Sequence, residues 1–200
     1  MKFPSYGAAG VLTACLLSAP ALANSAGMTA NSGKTSQTCS TCHTGGSAPT
    51  VELTGPTTLA AGATGQYKLT ITGGPGLKGG MNVAVDNTAA SLEPGTDTKK
   101  QSNELTHKAA KPAASGAITF DFSLVAPPSA GTVKLFAAGN SVNGDNNVTG
   151  DAAAVTTLSV TVTGSNEPVE EEGGCSSTGG APVVAFALTA GLALLRRRRN

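Results

Sequence analysis

Hydrophobic and polar residues alternate strictly along 117–125, where Ile118, Phe120, Phe122 and Leu124 fall on one side of an extended chain. This period of two is typical of a β-strand with one buried face. Six further stretches have similar spacing and are separated by Gly, Pro and Asn: 51–54, 66–72, 81–85, 104–109, 132–137 and 154–162. Seven strands over this length predict an all-β domain at residues 50–163, built as an antiparallel two-sheet sandwich.

The N-terminal residues 1–23 have the features of a signal peptide. Lys2 supplies a positive charge, an apolar run follows, and Ala21-Leu22-Ala23 is a cleavage sequence, so we expect cleavage after Ala23. A lipoprotein signal acylated at Cys15 is the alternative. In either case the chain is exported and its cysteines meet an oxidising compartment. The next segment, 24–49, is small and polar in composition, and we expect it to be loose.

The C-terminal part changes composition twice. Residues 164–174 contain four glutamates with Gly and Pro, which predicts an extended acidic linker. Residues 175–200 begin at Cys175, continue through an apolar stretch that we expect to be helical, and end in arginines at 196–199. The apolar stretch is shorter than the roughly 20 residues of a full membrane span, but the trailing arginines indicate a membrane anchor with its end in the cytoplasm.

Composition and charge narrow the function classes. Aromatic residues make up 4% of the chain and tryptophan is absent, so the core must be small and largely aliphatic. The formal charge is +1, but removal of Lys2 and the four terminal arginines leaves eight of the 13 basic residues against 12 acidic ones, about −4. No basic patch with interleaved aromatics is present, which argues against nucleic acid as a partner.

The densest reactive chemistry lies in the segment Cys39-Ser40-Thr41-Cys42-His43, a C-x-x-C-H motif. This spacing is the attachment signature of c-type haem, in which Cys39 and Cys42 form thioethers and His43 is an axial ligand. The sixth iron position would then be open or filled by one of three side chains: His107, Met81 or Met28. Cytochromes usually begin a helix at this motif, whereas the following residues 44–49 contain Gly and Pro and disfavour one.

Two alternatives to haem remain open for the same motif. A Cys39–Cys42 disulfide would staple the N-terminal segment, with His43 packed or solvated. A metal-binding or thiol-exchange role is the other, although a zinc site here lacks a fourth ligand. His107 is the second of two histidines and is flanked by lysines, so we expect a hydrogen-bonding surface residue more than an iron ligand.

A second candidate site is the stretch 140–151, which concentrates Asn, Asp and Gly. Asn143, Asp145, Asn147 and Asp151 would supply oxygen ligands to calcium. The stretch lacks the spacing of a defined calcium loop, and a long hairpin loop rich in turn-forming residues explains the same composition. No G-x-S-x-G elbow, phosphate loop or H-E-x-x-H motif occurs, so we expect no hydrolytic activity.

The C-terminal tail resembles the myxobacterial sorting signal MYXO-CTERM. The resemblance is carried by Gly173-Gly174-Cys175-Ser176, by the apolar stretch that ends Leu192-Ala193-Leu194-Leu195, and by the four arginines. It implies that a membrane-bound sorting protease removes the tail near Cys175 and delivers the protein to the cell surface. Cys175 is then the processing site.

The body of the chain resembles reeler-like domains, an Ig-like sandwich family with anchored bacterial members. The segments that carry this resemblance are 38–46, 67–73, 105–108, 120–122, 126–127, 138–144 and 150–151. It implies a sandwich fold at the cell surface and no particular reaction. We therefore expect an exported, outer-membrane-associated or cell-surface module that binds an unknown ligand without catalysis. An electron-transfer module with one covalent haem and a calcium-dependent adhesion module are the alternatives.

Overall fold

The computed structural model describes residues 25–164, which are almost entirely β-structure. A short 3-10 helix, Cys39–Thr41, precedes twelve strands. In chain order the strands are β1 (Thr44–Gly45), β2 (Pro49–Thr54), β3 (Thr58–Ala60), β4 (Thr64–Gly73), β5 (Lys78–Val85), β6 (Ser91–Pro94), β7 (Thr98–Gln101), β8 (Glu104–His107), β9 (Lys111–Pro112), β10 (Ala117–Val125), β11 (Gly131–Val142) and β12 (Thr149–Thr163).

The strands form two sheets that pack face to face. The larger sheet has the order β1-β12-β11-β5-β8-β7, with β3 beside β12 and β9 beside β5, and the smaller sheet has the order β2-β4-β10-β6. The long strands pair antiparallel, whereas the short β1 and β3 pair in parallel with β12. The predicted antiparallel two-sheet sandwich is confirmed.

All seven predicted strands are present, and β10 has the predicted bounds. Five short strands were not predicted: β1, β3, β6, β7 and β9. Each has two to four residues, which is too short for an alternating pattern to be visible in the sequence. These short strands extend both sheets at their margins.

The core is formed by the facing sides of the two sheets. The four apolar residues of β10 are all buried, as the alternation predicted. Phe122 lies opposite Tyr67 of β4, and their rings stack with centroids 5.8 Å apart. The Tyr67 hydroxyl donates to the carbonyl of Pro56 at 2.8 Å, and burial raises the pKa of Tyr67 to about 12. Each such buried side chain contributes about 1.5–3 kcal/mol relative to exposure.

Strands β11 and β12 extend well beyond their predicted bounds. They pair from Gly131–Val162 to Ser141–Ala152, so the predicted 140–151 loop is wrong over its two ends and shortens to residues 143–148. The extension was missed because residues 137–141 are buried on both faces of the sheet. A strand that is covered on both sides does not alternate between apolar and polar residues.

One face of these buried residues packs against the smaller sheet, and the other is covered by the segment 25–46, which we call the N-terminal layer. It crosses the outer face of the larger sheet, the face turned away from the smaller sheet. Gly27 has φ +75 and lies so close to Thr106 of β8 that a Cβ there would collide with it. The Ala30 N–H donates to Glu104 Oε2 at 2.8 Å, and Ser40 Oγ donates to the Ala153 carbonyl at 3.3 Å. The prediction of a loose segment is therefore wrong for these residues.

Asn82 holds the N-terminal layer to β5 and β8. Its side chain points to the outer face and is buried. Oδ1 accepts from the Asn31 N–H at 2.8 Å, while Nδ2 donates to Glu104 Oε2 at 2.9 Å and to the Leu105 carbonyl at 3.0 Å. One amide thus satisfies backbone groups of two separate elements, which is why a polar residue stands inside a strand here.

Several predicted features lie outside the described residues. These are the signal peptide with its cleavage site at Ala23, the acidic linker beyond residue 164, and the tail with Cys175. Within residues 25–164, no helix is long and apolar enough to cross a membrane.

Replacement of Asn82 by alanine will loosen the N-terminal layer. The substitution leaves the part-buried Asn31 N–H and the buried Leu105 carbonyl without their Asn82 partners, so we expect the free energy of unfolding to fall by about 1–3 kcal/mol. Trypsin should cleave after Lys34 faster than in the parent chain. Gln66→Ala, at an exposed position of β4, is the control and should change stability by less than about 0.5 kcal/mol. Equal stability of the two variants in denaturant titrations would contradict this role of Asn82.

Candidate functional site

The C-x-x-C-H motif forms a tight turn that ends at β1. Thr38 Oγ1 accepts from the Ser40 N–H at 3.2 Å, which caps the 3-10 helix. The carbonyl of Cys39 accepts from the N–H groups of Cys42 and His43 at 3.3 and 3.0 Å. The chain then leaves the turn because the Thr44 N–H donates to the Val148 carbonyl at 3.0 Å. The motif is followed by a strand, in agreement with its helix-disfavouring sequence.

The two thiols of the motif differ in their surroundings. Cys39 is half-buried and Cys42 is exposed, and both are free thiols in this structure. Burial raises the pKa of Cys39 to about 11; a backbone hydrogen bond at Cys39 opposes this shift, and the nearby Cys42 adds to it. The predicted Cys39–Cys42 disulfide, a second oxidation state of the same pair, stays a prediction.

His43 is oriented by a buried carboxylate. Its Nδ1 lies 2.7 Å from Oδ2 of Asp151, whose side chain is 1% exposed. The other oxygen of Asp151, Oδ1, accepts from the Asn143 N–H at 2.9 Å. A carboxylate can only accept, so Nδ1 carries the proton in this pair. The second ring nitrogen of His43, Nε2, has no hydrogen-bond partner among residues 25–164.

His107 is not the exposed surface residue that its flanking lysines suggested. Its ring lies 6.4 Å from the ring of Phe120, and its Nδ1 is 3.0 Å from the Met81 nitrogen and 3.2 Å from the Met81 oxygen. The β5–β8 ladder ends at the pair Asn82–Thr106, and the His107 ring lies over Gly80, two residues further along β5. Gly80 makes room for it, because a Cβ on Gly80 would collide with the imidazole.

The surroundings of His107 favour the neutral ring. Burial is the largest cause that lowers its pKa, the hydrogen bond that a protonated Nδ1 would donate to the Met81 backbone oxygen opposes the shift, and the coulombic effects of Lys99 and His43 add to it.

Both histidines line one cavity of about 150 Å³ on the outer face of the larger sheet. Asn140 of β11 lies opposite Gly80 of β5 and lines the same cavity, as do Asp151 and Lys78. We call this cavity the histidine pocket. The sequence assigned His43 and His107 to a possible haem site and Asp151 to a possible calcium site, and the structure brings all three to one cavity.

Asn140 is the functional candidate that sequence analysis missed. The residue is 6% exposed, yet its Oδ1 is sealed from solvent and has no partner. Its amide nitrogen also makes no hydrogen bond within the described part of the chain. A signal was present, since Asn140 falls in the segment 138–144 that resembles the reeler-like family, but its position suggested only a turn.

The other predicted sixth ligands do not reach the histidine pocket. The Met81 side chain is buried in the core between the sheets, and only its backbone touches His107. Met28 is 55% exposed and is not among the lining residues.

Two of the predicted calcium ligands, Asn143 and Asp145, accept turn hydrogen bonds through their side chains. Asn143 Oδ1 accepts from the Asp145 N–H at 3.1 Å, and Asp145 Oδ1 accepts from the Asn147 N–H at 2.8 Å. This backbone hydrogen bond from Asn147 is the largest cause that lowers the pKa of Asp145. Residues 25–164 hold no group of three or more His, Cys, Asp or Glu placed to bind a metal ion. Calcium binding stays a prediction, and the turn hydrogen bonds form without a bound ion.

The histidine pocket does not fit a haem. Its volume is below the roughly 300–1,000 Å³ of pockets for organic ligands, and neither Cys39 nor Cys42 lines it. His43 does have the arrangement of a ligating histidine, with Nδ1 held by a carboxylate and Nε2 left over. The motif therefore meets only part of what a haem requires, and no electron-transfer step follows from this geometry.

Comparison with known proteins adds little to these observations. No protein-family model matches the chain, and no similar curated protein was found. Among solved structures, the chain is similar to the PKD domain of an M14-like peptidase from Thermoplasmatales archaeon SCGC AB-540-F20, with 19% identity and a TM-score of 0.37. The match covers 58% of this chain and 96% of that domain. The sandwich assignment rests on the strand pairing described above.

Thiol labelling will separate the two cysteines of the motif. In the reduced chain at pH 8, iodoacetamide should modify exposed Cys42 first, because a pKa of about 11 leaves Cys39 with little thiolate. After allowance for its greater nucleophilicity, we expect Cys39 to react at least about tenfold more slowly than an ordinary thiol. Tandem mass spectrometry assigns the adducts. Equal rates at the two residues would contradict the burial of Cys39, and a chain that labels at neither until reduced carries the disulfide.

Proposed function

We propose that this chain is an exported, surface-anchored β-sandwich module that binds a small polar ligand in the histidine pocket. One observation carries the proposal. Three side chains from separate elements, His43, His107 and Asn140, converge on one cavity with hydrogen-bonding groups that the fold does not use.

The construction of the pocket supports binding more than folding. His43 is positioned by Asp151, and His107 by the Met81 backbone, so each ring is held at Nδ1 while Nε2 is left over. Gly80 provides the space that the His107 ring requires. Preorganised polar groups around a cavity are what a ligand site needs, because they need not rearrange when the ligand arrives.

A non-enzymatic role is the simpler proposal for this pocket. His43 and Asp151 match the base and orienting acid of a nucleophilic triad, but no hydroxyl or thiol within the described residues hydrogen-bonds to the His43 ring. Without that partner, the pair has no nucleophile to activate.

Export and anchoring are proposed from the chain ends. Export is supported by residues 1–23, in which a positive charge is followed by an apolar run and an A-x-A cleavage sequence. Anchoring is supported by the resemblance of residues 175–200 to a MYXO-CTERM tail. Ser25, the second residue of the expected mature chain, lines the histidine pocket. The acidic linker 164–174 would hold the sandwich away from the membrane.

A panel of probes tests the pocket proposal on the exported full chain. We expect at least one of acetate, phosphate, methylammonium and Zn²⁺ to shift the NMR signals of His43, His107 and the Asn140 side chain together. The Gln66 side chain, on the exposed face of β4, is the control and should not respond. If no probe of any class shifts the three signals, the pocket proposal fails. It fails equally if the exported chain is coloured and gains the mass of one covalent haem, which would instead favour the electron-transfer alternative.

Mass spectrometry of the protein from its own host, or from a myxobacterial host, tests export and anchoring. We expect a mature chain that begins at Asn24 and ends near Cys175. Cys175→Ser should leave the tail attached and the protein in the inner membrane, whereas Cys39→Ser, the matched control, should be processed normally. A full-length chain in the parent protein would contradict both processing steps.

A further inference from the structure

We infer that the histidine pocket binds a small oxyanion group, either a carboxylate or a phosphate-type anion. This inference rests on the proposed function and names the class of ligand. Its basis is that two unspent groups of the pocket, the His107 Nε2–H and the Asn140 amide NH₂, are hydrogen-bond donors and that the lining carries an exposed ammonium, Lys78.

The first donor is His107 Nε2. The Met81 N–H is always a donor, and it points at Nδ1 of His107 at 3.0 Å, so this nitrogen holds a lone pair. The longer contact, 3.2 Å to the Met81 oxygen, would require the opposite tautomer. A neutral imidazole has one ring proton, which the shorter contact assigns to Nε2. That N–H has no acceptor among residues 25–164.

The second donor is the amide of Asn140. Its Oδ1 is the end sealed from solvent, so the NH₂ group is the polar end that the side chain can offer to the cavity. Asn140 and Gly80 are paired across β11 and β5 and therefore lie on the same face of the sheet. The His107 ring occupies the space above Gly80, which brings the two donors to neighbouring positions.

The charged side chains around the pocket favour a bound anion. Among the described residues that line it, Asp151 is the one acid, and both of its oxygens accept from the protein, one from His43 and one from Asn143. Lys78 lies at the cavity, and Lys99 of β7 is paired with Thr106, the residue before His107. His43 adds Nε2, which accepts from a hydrogen phosphate or, once protonated, donates to the anion.

A cation is the less favourable occupant of the same space. Metal sites require several anionic or lone-pair ligands, and within residues 25–164 no three His, Cys, Asp or Glu side chains are placed to supply them. In the His107 tautomer that the Met81 N–H selects, Nε2 carries the ring proton and has no lone pair for a metal ion. Lys78 would also repel a dication. With about 150 Å³, the cavity accommodates a carboxylate or phosphate group together with a few waters.

The test is a titration of the exported full chain with sodium acetate, sodium phosphate and sodium sulfate at constant ionic strength, followed by NMR and calorimetry. We expect saturable binding of at least one oxyanion, with the largest shifts at His43, His107 and Asn140. Comparison of acetate with phosphate and sulfate shows whether the natural ligand is a carboxylate or a tetrahedral anion.

Two variants and two matched controls make the test specific. Asn140→Asp is nearly isosteric but replaces the donor NH₂ with a negative oxygen, so oxyanion affinity should fall roughly tenfold or more. Asn87→Asp adds the same charge at a turn where Oδ1 accepts from Ala89, and affinity should not change. Lys78→Ala should weaken binding several-fold, most strongly at low salt. Lys68→Ala, which removes an ammonium paired with Asp121 on the smaller sheet, should not.

The outcomes separate this inference from the proposed function. Binding of methylammonium or Zn²⁺ at the pocket without oxyanion binding would overturn the anion assignment and leave the pocket proposal intact. Absence of binding by every probe would overturn both. If Asn140→Asp lowers the melting temperature strongly, the Lys78→Ala and Lys68→Ala pair decides the result, because both lysines are exposed and neither substitution disturbs the core. Equal affinities in that pair would contradict the inference.

Discussion

The pocket region depends on one buried carboxylate, Asp151. A buried charge is costly unless it is paired and hydrogen-bonded, and here the two oxygens are satisfied by different parts of the chain. One oxygen holds the His43 ring from the N-terminal layer, and the other holds the backbone at the start of the 143–148 loop. The same side chain therefore fixes the C-x-x-C-H turn, the loop and a wall of the histidine pocket. Its removal would disturb all three.

The N-terminal layer explains the unusual composition of the larger sheet. A sandwich normally leaves the outer face of each sheet in water, which gives alternating strands such as β10. Here residues 25–46 cover one outer face, and the strands beneath them carry small or amide side chains such as Gly80, Asn82 and Asn140 on that side. Small residues let a third layer approach closely, and amides satisfy its backbone. As a consequence, the sequence of these strands does not alternate between apolar and polar residues and resembles that of a loop.

Whether one face or both faces of a strand are buried decides how much of the fold could be predicted from the sequence. Strands with one solvent-exposed face were predicted from alternation alone, and both bounds of β10 were predicted correctly. The end of β11 was missed because residues 137–141 are buried on both faces. Among site residues, His43 and His107 stood out by residue type, since the chain has two histidines. Asn140 and Gly80 did not, because their importance comes from pairing across strands that are 60 residues apart in the sequence.

In the C-x-x-C-H motif, the surrounding structure separates the histidine from the two cysteines. Spacing alone groups two thiols with an imidazole and so points to a single site. In the fold, the turn at Cys39–Thr41 keeps both thiols out of the histidine pocket, while Asp151 draws the His43 ring into its wall. The imidazole is thereby joined to His107 and Asn140, groups that are distant in sequence, instead of to its neighbouring cysteines. For this motif, the partner that orients the histidine carries more functional information than the spacing of the cysteines.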